Sequence, residues 1–113
     1  MSNDQDTRRD ALSHPRHQLD DTIHQPVRLS ILALLAQSEQ VDFAFIQRYV
    51  ELGESNLSRH LSALESAGYI AITKVFEGKK PRTWVSLTAA GRDAFARHVT
   101  LLRQIVGETP GAP

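Results

Sequence analysis

Apolar residues first gather after Pro26, where Val27, Leu29, Ile31, Leu32, Leu34 and Leu35 crowd together. Proline suits the first turn of a helix, where an N–H would have no intrahelical acceptor, so a largely buried first helix is predicted from Pro26 to near Gln37. Val41 stands alone before Asp42, a residue able to cap a second helix whose Phe43, Ile46 and Val50 share one face and which ends near Glu51. Past Leu52 and Gly53, the leucines Leu57, Leu61 and Leu64, continued by Ala67, stripe a third helix that Gly68 stops. Tyr69 to Phe76 and Trp84 to Leu87 are rich in β-branched and aromatic residues with rough alternation. They predict two antiparallel strands joined by the basic loop that begins at Glu77-Gly78-Lys79-Lys80-Pro81. Thr88 then caps a last helix carrying Phe95, Val99, Leu102 and Val106 along one line, with Leu101 and Ile105 beside it.

The predicted order is therefore α-α-α-β-β-α, with room for a very short strand near Val41. This is a mainly α fold with a small β-hairpin (α+β), the arrangement of a winged helix-turn-helix. Residues 1–18 mix Asp, Arg, Ser, Gln and His with few apolar side chains, and bury too little to offset the entropy of ordering. They are expected to form a disordered arm, residues 19–106 the folded domain with a C-terminal dimerisation helix, and residues 107–113, with Gly107, Pro110, Gly111 and Pro113, a disordered tail.

Composition changes this picture in two places. The 113 residues suit one domain, and thirteen basic side chains balance thirteen acidic ones, so attraction to a polyanion must come from local distribution. Between Ser55 and Arg92, six basic residues (Arg59, Lys74, Lys79, Lys80, Arg82, Arg92) face only Glu65 and Glu77, so this segment is four positive and the remainder four negative. Cysteine is absent, which removes disulfides and thiolate sites, and no stretch is apolar long enough to span a bilayer. A cytoplasmic protein without membrane contact is expected.

The charge asymmetry coincides with the third helix and the hairpin. The outer face of that helix, Ser55, Asn56, Ser58, Arg59 and Ser62, is made of short polar groups and one long cation, with His60 beside them. Short side chains let a helix backbone approach the floor of a major groove, where Arg pairs with guanine and Asn with adenine. Lys79, Lys80, Arg82 and Thr83 would place cations and a hydroxyl at the hairpin tip, against phosphates or in a minor groove. Each feature alone fits a solvated face or an edge guarded by lysines; together they point to double-stranded DNA.

Sharper chemistry finds less support. The histidines His14, His17, His24, His60 and His98 form no closely spaced pair on a predicted helix, so no metal site is expected. No nucleophile with a base and acid, no paired carboxylates and no glycine-rich phosphate loop is recognisable, so neither an enzyme nor a cofactor is expected. The apolar line Phe95, Val99, Leu102 and Val106, with Leu29 and Leu32 of the first helix, either covers the domain's own core or forms a homodimer. A homodimer is the expectation, since it would match a two-fold symmetric operator.

The run Asn56-Leu57-Ser58-Arg59-His60-Leu61, then Leu64, Ala67-Gly68-Tyr69-Ile70, Phe76 to Thr83, Leu87-Thr88 and Gly91-Arg92 resembles the small winged-helix transcriptional regulators related to the MarR and ArsR families. The likeness runs from about His24 to Val106. It implies a recognition helix from about Glu54 to Ala67, a wing at Lys79 to Thr83, a homodimer through the first and last helices, and a role in regulating transcription; a small domain without an extra module most easily acts by occluding polymerase, so a repressor is expected. The cysteine metal motif of many ArsR-type sensors is missing, and the chain is shorter than a typical MarR protein. A small-molecule effector is compatible with the resemblance but no residue identifies one. Two other readings stay open: a winged-helix protein-protein interaction module and a ligand-responsive sensor.

Overall fold

The computed structural model describes residues 14–107. Among them are four α-helices and a three-stranded antiparallel sheet: α1 (Pro26–Ala36), β1 (Val41–Asp42), α2 (Phe43–Val50), α3 (Glu54–Ser66), β2 (Ile70–Glu77), β3 (Lys80–Leu87) and α4 (Ala89–Ile105). Strand order is β1-β3-β2, with Val41 opposite Val85 and Ile70 opposite Leu87. This is the α+β winged helix predicted from the sequence, and the very short strand at Val41 is present.

The local signals act as expected. Gln25 caps α1 through the Arg28 N–H, with Pro26 in the first turn. The Asp42 carboxylate accepts from the Phe45 N–H at 2.7 Å, and the Thr88 hydroxyl accepts from the Gly91 N–H at 2.9 Å, each satisfying a donor that the helix start leaves unpaired. The core joins Ile31, Leu32 and Leu35 of α1, Ile46 of α2, the α3 stripe Leu57, Leu61 and Leu64, and Ile70 and Val85 of the sheet.

Three features differ from the sequence reading. Pro15–Gln18, assigned to the arm, form a 3-10 turn capped by His14, and the chain then lies along α4 with Ile23 fully buried. Burial of Ile23 in the core and two side-chain contacts hold it: Tyr69 donates to Asp20, and His24 Nδ1 lies 3.2 Å from His98 Nε2. The rest of the arm and the tail beyond Gly107 fall outside the described residues. The second difference is in the hairpin, where β3 begins at Lys80 and runs through the stretch read as a loop. Only Gly78 and Lys79 remain as the turn, Gly78 with φ 67°, as a type II′ turn asks of its first central residue. Pro81, expected in the loop, lies within β3; β1 pairs only with Trp84 and Val85, so Pro81 sits where no third strand needs its N–H.

The third difference is in α4. Its buried face is Gly91, Ala94 and His98, and the Phe95, Val99 and Leu102 line lies beside it, half-buried, ending at Val106, which is 75% exposed. Leu29 is half-buried, whereas Leu32 is 0% exposed within its own chain and offers no surface to a partner. The α1 helix sits at the centre of the domain, so its inward leucines are consumed by the core. Leu32 is therefore a core residue and not a dimer contact.

Candidate nucleic-acid interface

The α3 helix presents Ser55, Asn56, Ser58, Arg59 and Ser62 as exposed residues, because the leucine stripe at Leu57, Leu61 and Leu64 fixes the opposite face inward. The Arg59 guanidinium donates to the Asn56 side-chain oxygen one turn earlier, which holds both side chains at the leading end of the helix. Arginine has five N–H donors, so this bond leaves others for a base edge or a phosphate.

His60 is placed differently from its neighbours. It is half-buried, and its Nδ1 accepts from Arg28 Nε of α1 at 3.1 Å, while Arg28 also reaches the Thr22 carbonyl at 3.3 Å. Burial, with Arg28 and Arg59 close by, pushes the His60 imidazole below the usual histidine range. Its bond to Arg28 fastens α3 to α1, so the structure sets it apart from the exposed residues beside it.

Alternation of side chains sorts the hairpin into two faces. Ile70, Ile72, Lys74 and Phe76 of β2, with Pro81, Thr83, Val85 and Leu87 of β3, lie on the face turned toward α3. Between that face and α3 runs a cleft of about 630 Å³, lined by Phe43, Ser58, Ser62, Lys74 and Thr83 together with Glu54 and Glu65. Hydroxyls on both walls and Lys74 on the strand wall suit a phosphate backbone, while Glu54 and Glu65, which also line the cleft, oppose it.

The opposite face carries Asp42, Trp84, Arg82 and Lys80. Arg82 donates to Asp42 at 2.8 Å and to Glu77 at 2.9 Å, and its guanidinium lies 4.9 Å from the centre of the Trp84 ring. A backbone bond from Phe45, then Arg82, hold the Asp42 carboxyl below the usual range. Arg82 was expected at the hairpin tip as a cation for DNA. Instead it is neutralised on the face away from α3, because the strand continues where a loop was predicted. Lys79 in the turn and Lys80 at the strand start remain exposed at the tip, and Lys74, which the sequence reading counted only as charge, lines the cleft.

No helix among the described residues is long and apolar enough to cross a membrane. His98 is 1% exposed and, among the described residues, has no partner for Nδ1; burial followed by His24 lowers its pKa, Asp20 opposing them. Among the described residues no group of three or more His, Cys, Asp or Glu could hold a metal ion.

A three-helix unit whose last helix stands exposed beside a cationic hairpin defines the winged helix-turn-helix class of nucleic-acid-binding domains. The family described as winged helix DNA-binding domain matches residues 27–106, and the chain belongs to that family. An uncharacterized protein of Methanocaldococcus jannaschii is 32% identical over 79 residues, 70% of this chain and 86% of that protein. The structure of a transcriptional regulator homologue from Pyrococcus horikoshii OT3 is similar with a TM-score of 0.72 at 27% identity, covering 91% of this chain and 95% of that one. A MarR family transcriptional regulator from Streptomyces coelicolor, solved in complex with DNA, shares the fold with a TM-score of 0.61 at 20% identity, covering 97% of this chain and 82% of that one.

Proposed function

We propose that this chain is a sequence-specific regulator of transcription that binds double-stranded DNA as a homodimer and represses by occluding the promoter. The carrying observation is the exposed polar face of α3 standing across a cleft from Lys74 and Thr83. In this reading α3 enters the major groove, with Asn56 and Arg59 reading base edges and Ser55, Ser58 and Ser62 contacting phosphates or bases. The backbone passes through the cleft, and Lys79 and Lys80 follow it at the wing tip.

The Streptomyces protein supports the same use of the fold, since it was captured on DNA. The line Phe95, Val99, Leu102 and Val106 of α4, with Leu29 of α1, supplies the homodimer surface, and its exposed end at Val106 is the place where a partner would bury area. Selection from a randomised duplex pool, repeated at two salt concentrations, tests the reading. An enriched, roughly palindromic site with salt-sensitive affinity is expected; no binding to any duplex at low salt would overturn it.

A further inference from the structure

We infer that Phe76 is an apolar wedge, carried at the tip of the wing and inserted from the minor groove between two base pairs, so that the chain kinks the duplex it binds. The inference rests on the DNA-binding reading above.

Phe76 is 75% exposed although it is one of the largest apolar side chains in the domain. It cannot reach the core, because the hairpin extends past β1, which pairs with β3 only at Trp84 and Val85. Alternation places it on the face turned toward α3, two residues beyond Lys74, with Pro81 opposite it on β3. The tip thus presents an aromatic ring and a proline side by side, one residue pair before the Gly78-Lys79 turn.

Charge selects the occupant. Lys74 shares the face of the ring, Lys79 stands in the turn and Lys80 starts β3 on the other face; all three are exposed, and among the described residues none of them enters the ion pairs of Asp42, Glu77 and Arg82. A second copy of this wing would be repelled by the same cations, whereas a polyanion with an apolar interior satisfies both the lysines and the ring. Duplex DNA has that structure: phosphates outside, stacked bases within. Apolar wedges that enter the minor groove, roughly 6 Å wide before it is opened, unstack a base step and bend the duplex toward the major groove. Pyrimidine–purine steps unstack most easily, so Phe76 would add sequence preference without a hydrogen bond.

The test uses the full chain and a duplex recovered from the randomised pool. Energy transfer between labelled ends reports bending, and a fluorescent purine analogue at each pyrimidine–purine step reports unstacking. Wild type is expected to shorten the end-to-end distance and brighten the analogue at one step per half-site. Phe76→Ala should abolish both while keeping the salt slope and losing no more than about tenfold in affinity, since the unstacking cost disappears with the contact. Phe76→Leu should retain part of the bend. If wild type binds and Phe76→Ala leaves bend and brightness unchanged, or instead lowers the oligomer mass in sedimentation, the wedge is refuted and the DNA-binding reading stands. If wild type binds no duplex, both fall.

Discussion

Gly91 is where the wing, the last helix and the α3 exit meet, and replacing it with alanine is the most decisive change the structure offers. A Cβ built on Gly91 lies 2.0 Å from the Tyr69 carbonyl oxygen and 2.8 Å from its carbon, both of them backbone atoms with no rotamer to change. Ordinary contact requires that α4 and the start of β2 separate by more than about 1 Å. That displacement breaks the 3.0 Å bond from the Thr88 N–H to the Tyr69 carbonyl and strains the Thr88 hydroxyl, which donates to the Gly68 carbonyl at 2.6 Å and caps α4. Losing a buried backbone bond costs about 1 kcal/mol, a weakened cap about another, and forced overpacking about 1 to 3, against roughly 1 regained from alanine's helix propensity. Gly91→Ala is therefore expected to destabilise the domain by about 2 to 4 kcal/mol, read in urea from the Trp84 emission and the far-ultraviolet signal together. A midpoint equal to or above that of wild type would refute the close-approach argument, because propensity alone predicts stabilisation.

Other expectations follow from the same contacts. Stability should hold at neutral pH and decline as pH falls below the ordinary histidine value of 6.5, because the unfolded chain takes up protons that buried His98 and half-buried His60 resist; His98→Gln should flatten part of that decline in unfolding experiments at stepped pH. Arg59→Ala should cost roughly 1 to 3 kcal/mol on the selected site and little on random duplex, measured by anisotropy. Lys79→Ala should weaken all sequences alike and reduce the salt slope by about one, whereas Arg82→Ala, whose charge is already matched by Asp42 and Glu77, should leave the slope almost unchanged. Leu102→Glu should convert the dimer to monomer in light scattering, and a wild-type protein that is monomeric at micromolar concentration would remove the dimer from the proposal.

Periodicity exposed most of this architecture, because α1, α3 and the caps at Asp42 and Thr88 depend on neighbours within four residues. What escaped depends on partners far along the chain. Ile23 reads as one apolar residue in a polar stretch, and only the distant Tyr69 and His98 show why that stretch packs on α4. Pro81 reads as a loop residue until one knows that β1 stops short of it. Arg82 belongs to a basic run by sequence, yet Asp42, forty residues earlier, claims it. Lys74 and Phe76 sit in a strand that looks uniformly β-forming, and their common face becomes visible only once the register and the position of α3 are fixed.

The short reach of β1 divides the hairpin into two mechanical regimes. At its base the ribbon is three strands wide and clamped to α2 through Asp42, so it must rotate with the helices as one body. From Thr83 outward it is two strands wide, a cantilever whose bending stiffness falls where Arg82 makes its last cross-link to the base. Spacing between the two grooves varies with DNA sequence, and in the proposed complex a compliant tip on a stiff root would follow that variation without shifting α3.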